Sequence, residues 1–139
     1  YFKVDVDSQT TMGREVMQET IDWWATQSKE IQDEAMGEKD RISLEQMTKN
    51  INKFAVGVDV FWCQGPLFDY AILQDIYKQL GHPAPWQYWQ IRDSRTLFNL
   101  VPRDLNEIRT GAHNALADCH FQAKKVQKVY KQLGIKKPF

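Results

Sequence analysis

The sequence predicts an α/β fold, and three observations carry that prediction. Residues Phe2 to Asp7 alternate apolar and polar, the period of two expected of a half-buried strand. Val58-Asp-Val-Phe-Trp-Cys63 is a near-continuous apolar run, as expected for a central strand covered on both faces. From Leu116 onward, apolar residues at Leu116, Cys119, Ala123, Val126, Tyr130 and Leu133 step by three and four. That spacing makes one stripe of a long helix, with Gly134 where a helix C-cap glycine belongs.

The elements follow in order. Ser8 to Gly13 reads as a loop after the opening strand, and a helix begins near Thr20. Its paired Trp23 and Trp24 are expected to anchor a core, because tryptophan contributes chiefly through buried area. Ser28 caps a second short helix that runs to about Met36. Ser43-Leu-Glu-Gln46 is a capping-box pattern, and it launches a helix with Leu44, Met47, Ile51 and Phe54 on one face. After the central strand, Gln64-Gly65-Pro66 breaks the chain. Phe68 to Leu80 then reads as a helix ending at Gly81. His82-Pro-Ala-Pro85 is a rigid connector, Trp86 to Arg92 a further strand, and Asp93 to Leu100 a helical turn capped by Asp93 or Ser94. Val101 to Thr110 is a charged loop that delivers the chain to His113.

At 139 residues the chain fits a single domain, 1–139, without repeats, linkers or low-complexity tracts. Its 18 basic and 18 acidic residues cancel, so any nucleic-acid binding must be a local property of a cleft. Five Trp, five Tyr and seven Phe leave aromatic surface that could stack on bases. No run of apolar residues reaches membrane-spanning length, and no signal-peptide pattern opens the chain; a cytoplasmic protein is expected. Cys63 and Cys119 read as small core residues in a reducing compartment. With His113 and His120 they lack the close paired spacing of a structural zinc site.

Two carboxylates and a histidine draw a chemical reading. Asp69 continues the stripe of Leu73, Ile76 and Leu80 into the first turn of its helix, just past the carboxyl end of a central strand, where open α/β sheets place ligands. Asp118 lies at the edge of the last helix's stripe, and His113 in the loop or first turn leading into it. Carboxylates can hold a hard divalent cation through oxygen while an imidazole takes a proton from water. Both aspartates could equally serve only the positive ends of their helices, with His113 a solvated loop residue.

Trp62-Cys-Gln-Gly-Pro-Leu-Phe68-Asp69 resembles the second motif of the DEDDh 3′–5′ exonucleases, and His113-Asn-Ala-Leu-Ala-Asp118 the third. Thr20-Ile-Asp-Trp-Trp-Ala-Thr-Gln-Ser28 and Pro85-Trp-Gln-Tyr-Trp-Gln-Ile-Arg-Asp-Ser-Arg95-Thr look like the phage and prophage exodeoxyribonuclease branch of that family, and the likeness runs from about Asp7 to Leu133. The resemblance implies a ribonuclease H-like mixed sheet flanked by helices. It also implies two ions, Mg²⁺ or Mn²⁺, with Asp118 and Asp69 as metal ligands and His113 as general base. Phe68 and Arg95 would bind substrate, a single-stranded DNA or RNA 3′ end. Release of mononucleotides in the cytoplasm of a bacterial host, with room for a homodimer, completes the expectation.

The family's first motif, Asp-x-Glu on the first strand, is not in the sequence, and Gln64 stands where the second motif often has Asn. The resemblance therefore implies an N-terminally incomplete domain lacking its first strand or strands, and a chain that is weak or inactive alone. Two other readings remain open. One is a noncatalytic nucleic-acid-binding or interaction module on the same scaffold. The other is a rearranged site in which Asp5 and Asp7 join Asp69 and Asp118, which requires the opening strand to lie beside Val58–Cys63.

Overall fold

The computed structural model describes residues 1–104, 107 and 113–136. They form a mixed α/β structure with two small parallel sheets and, among the described residues, seven α-helices. The chain divides into two compact units, Tyr1–Lys53 and Phe54–Phe139.

In the first unit, strand β1 (Lys3–Val4) pairs in parallel with β2 (Arg41–Ile42), Lys3 opposite Arg41. The opening strand is shorter than its alternation predicts. Asp5 already acts as the N-cap of helix α1 (Val6–Thr10), its Oδ1 accepting from the Ser8 N–H at 2.6 Å. The segment expected to be a loop is thus partly helical, and Asp5 and Asp7 are the cap and first turn of a helix rather than a strand face. The rearranged four-aspartate site loses its premise here, since the ladder partner of β1 is β2 and that of β3 is β4.

Helices α2 (Gln18–Ala25) and α3 (Lys29–Met36) follow; Ser28 caps the second, as its position before Lys29 predicts. Neither helix buries a residue fully, and Trp23 is 44% exposed, edge-on to Trp24 at 5.0 Å between ring centroids. Core anchoring by this pair is therefore corrected for Trp23, because α2 turns it outward. The buried centre of the unit is Leu44, Met47 and Thr48 of α4 (Leu44–Phe54). Ser43 Oγ accepts from the Gln46 N–H at 3.2 Å, but the Gln46 side chain bonds Asn50 Oδ1 instead of returning to the cap, so only half of the capping box forms.

The second unit is built on β3 (Phe61–Cys63) paired in parallel with β4 (Ile91–Asp93), Phe61 opposite Ile91 and Cys63 opposite Asp93. Helix α5 (Asp69–Gln79) follows β3 and buries Ile76 and Tyr77. Buried Trp86 meets Tyr77 and Phe61 edge-on at 5.3 and 5.6 Å, and its indole N–H donates to Gln74 Oε1 at 3.0 Å. Burying Trp86 bends the segment expected to be one strand. Tyr88–Gln90 becomes a 3₁₀ turn, held by Gln90 Oε1 on the Gln87 N–H, and only Ile91–Asp93 enters the sheet.

Helix α6 (Ser94–Phe98) packs on the last helix, α7 (Ala115–Gln132), around Leu97, Val126 and Val129, with Trp62, Phe98, Val101 and Tyr130 beside them. The stripe expected along all of α7 is buried only in its second half. Cys119 and Ala123 are exposed, as is Leu116. The five-residue α6 supplies the packing partner at Leu97 and Phe98, and the two fully buried α7 residues are Val126 and Val129. Gly134, at φ +68°, follows the C-cap Leu133 and satisfies the left-handed step that glycine makes without a Cβ penalty.

Candidate active site

Parallel pairing of β3 and β4 brings their carboxyl ends to the same edge, so Gln64–Asp69 and Asp93–Arg95 become neighbours there. Gly65 makes the turn. Its φ of +109° is open to glycine, and a Cβ would point at the Arg95 guanidinium 3.8 Å away. The Gly65 N–H donates to Asp93 Oδ1 at 3.1 Å, while the Arg95 and Thr96 N–H groups and the Thr96 hydroxyl donate to the same carboxylate. Partial burial pushes the Asp93 carboxyl up. The bonds from the Thr96 hydroxyl and the three N–H groups outweigh it and hold the pKa below the usual carboxylate range. Asp93 is thus both N-cap of α6 and the clamp between the two strand ends. The sequence leaves Asp93 and Ser94 both open as caps; Ser94 is fully buried and donates its hydroxyl to the Cys63 carbonyl at 3.1 Å.

Asp69 opens α5, and its Oδ2 accepts from the Gln64 N–H at 3.3 Å. Asp118 lies in the first turn of α7. The two carboxylates line one cavity of about 430 Å³, whose apolar wall is Phe61, Leu73, Trp86 and Ile91. Cys63 and Cys119 line it too, both as free thiols. Burial, with the Asp69 and Asp93 carboxylates adding to it, pushes the Cys63 thiol up to about 11. A thiol that burial keeps protonated is a weak nucleophile.

Phe68 and Arg95 line an adjoining cleft of about 620 Å³ with Gln64, Gly65 and Asp93. Phe68 is 69% exposed there, and the Arg95 guanidinium donates to the Gln64 carbonyl at 3.4 Å. Gln64 therefore bridges the two sites, its N–H turned to Asp69 and its carbonyl to Arg95. His113 lines neither cavity. It is an exposed turn residue at φ +70°, immediately before Asn114. Asn114 is a cap that the apolar spacing does not reveal, its Oδ1 accepting from the Ala117 N–H at 3.0 Å and its carbonyl from the Asp118 N–H at 2.9 Å. An Asn followed three residues later by a helical N–H was the available signal.

The sequence-predicted residues thus fall into three groups: Asp69 with Asp118, Phe68 with Arg95, and His113 at the mouth of α7. The donors suit a hard cation in kind, being carboxylate oxygens. In number they fall short, for among the described residues no three His, Cys, Asp or Glu side chains gather closely enough to hold a metal ion.

A family model described as the 3′–5′ exoribonuclease Rv2179c-like domain matches residues 1–130. The chain belongs to the Rv2179c-like 3′–5′ exoribonuclease domain family. The match runs through both compact units. Neither the curated proteins nor the solved structures compared with the chain gave a match. Among the described residues, no helix is long and apolar enough to cross a membrane.

Proposed function

We propose that this Rv2179c-like chain is a metal-dependent 3′–5′ exonuclease of the DEDDh type on a ribonuclease H-like scaffold, hydrolysing phosphodiester bonds at nucleic-acid 3′ ends. One observation carries the reading. Asp69 and Asp118, from helices far apart in sequence, line a single cavity in a chain that an exoribonuclease family matches over most of its length. The family's description favours RNA over DNA. Asp69 and Asp118 would be the residues that hold Mg²⁺ or Mn²⁺, two ions in a complete site, and metal bound there would neutralise charge on the scissile phosphate.

The chain's own residues then have separate tasks. The Gln64 N–H holds one oxygen of Asp69 and so orients its carboxylate. Exposed Phe68 offers a face for the terminal base, and Arg95 faces the same cleft with a guanidinium suited to phosphate. His113, beside α7 but outside the cavity lining, would accept the proton of the attacking water once substrate is in place; apo geometry commonly tightens on binding.

A second reading is a noncatalytic nucleic-acid-binding or interaction module on the same scaffold. A cavity with only two carboxylates among the described residues suits it as well as it suits a nuclease without its first motif. Incubation of a 5′-labelled single-stranded RNA with Mn²⁺ separates the two. In a form that also carries the Asp-x-Glu strand the resemblance implies, the nuclease reading expects a ladder shortening from the 3′ end. Asp118→Asn, Asp69→Asn and His113→Ala should each remove it. Undiminished shortening in all three variants, or RNA binding without any shortening, would sink the proposal.

A further inference from the structure

Beside the Phe68–Arg95 cleft, and sharing Gln64 and Arg95 with it, runs a second cleft of about 600 Å³. Four cationic side chains line it: Arg95, Arg103, Lys125 and Lys128. Two of them are paired with carboxylates from the segment that precedes His113. Lys125 Nζ donates to Glu107 Oε2, and Lys128 Nζ donates to Asp104 Oδ2 at 2.9 Å. Asn99 and Gln132 add neutral polar groups, and the Lys125 ammonium lies 4.9 Å from the centre of the Phe98 ring.

We infer that this cleft binds the backbone phosphates of a single-stranded nucleic acid, and that Glu107 and Asp104 hold those phosphates' place on Lys125 and Lys128 until a strand arrives. The chemistry is an exchange of like for like. A lysine that leaves a carboxylate for a phosphate oxygen keeps a charge-assisted hydrogen bond, so its charge is never left unpaired. Lys128 and Asp104 are about half exposed, and such a surface pair is worth at most about 1 kcal/mol, so it opens readily. Lys125 and Glu107 are about four-fifths buried, so that pair is the harder one to open. Arg95 joins the two clefts. A strand whose terminal base meets Phe68 therefore has its preceding phosphates beside Arg95, and beyond them Arg103 and the lysines. A polar cleft with cations, amide side chains and one ring face matches the phosphate and sugar contacts that fix register on a strand without reading its sequence.

The inference rests on the nuclease reading only for its choice of a nucleic acid, and the test keeps the two apart by chelating metal. Anisotropy of a labelled single-stranded RNA is measured in EDTA over a series of salt concentrations. Lys128→Met and Arg103→Met, both on exposed side chains, should each weaken binding several-fold and flatten the plot of log affinity against log salt by about 0.7 for each phosphate no longer neutralised. Asp104→Asn with Glu107→Gln should tighten binding several-fold, because the lysines no longer have to exchange partners. Unchanged affinity and slope in Lys128→Met and Arg103→Met would overturn the inference. So would weaker binding by the paired acid variant at an unchanged melting temperature. An acidic peptide of equal charge binding as tightly as the RNA would overturn it too, and would assign the cleft to a protein partner instead. Where the acid variant melts early, the two cation variants decide. Strand binding that depends on this cleft, with no shortening in metal, would leave the inference standing and the nuclease reading fallen. Shortening that ignores all four substitutions would do the reverse.

Discussion

Asp93 ties the two strand ends together, because its two oxygens take hydrogen bonds from both. Those bonds hold its pKa low in the folded chain. A carboxyl whose folded pKa is depressed stabilises the fold above its unfolded pKa, about 3.9, and that contribution is lost as pH falls through the folded value. Urea unfolding followed from neutral pH downward should therefore show stability falling below about pH 4. Asp93→Ala should lower stability at neutral pH by about 1 kcal/mol and flatten that acid limb.

His113 makes a different demand. At φ +70° a non-glycine residue carries a strain of about 1 kcal/mol or more. His113→Gly should melt at or above the wild-type temperature while losing 3′ shortening. A variant that keeps activity would remove His113 from the chemistry. That His113 stands at the mouth of a helix was legible in the spacing to the apolar stripe. Its left-handed backbone was not, since periodicity reports which face a residue occupies and says nothing of φ.

At the scale of elements, α7 shows where periodicity holds and where it stops. The steps of three and four from Leu116 to Leu133 announce the helix, and Ala115–Gln132 is helical. Burial along it depends on what lies opposite, and α6, with Leu97 and Phe98, supports only the second half. Val129→Ala should cost about 2 kcal/mol in urea unfolding, whereas Leu116→Ala should stay within about 0.5 kcal/mol. Equal losses would mean that the first half of the stripe is covered after all. The segment Trp86–Arg92 departs from its pattern for a related reason. Its aromatic, alternating composition suits a strand, but burying Trp86 against Tyr77 and Phe61 takes precedence, and Tyr88–Gln90 turns to accommodate it. Local propensity yields to tertiary packing when one large side chain has a hole to fill.

For the whole molecule, the α/β class could be read from the sequence because strand and helix periods alternate along it. The pairing of strands could not, since the alternation in Phe2–Asp7 carries no information about its partner, and Arg41–Ile42 is too short to announce itself. That Asp69 and Asp118 line one cavity was foreshadowed because each sits at the start of a helix whose face is plain in the sequence. Asp93 and Asn114 were harder to see, since an Asp or Asn at a cap looks the same whether it closes one helix or ties a site together.

If the chain is a metal-dependent nuclease, Asp69 and Asp118 serve one cation cluster, and calorimetric titration of Mn²⁺ into it tests that directly. Binding should be weak, in the millimolar range typical of a loosely caged hard cation. Asp69→Asn and Asp118→Asn should each weaken it at least several-fold, with losses that do not add in the double variant, as expected of two carboxylates serving one cluster. Binding undiminished by either substitution, or no binding at millimolar metal in the unaltered chain, would contradict the shared site.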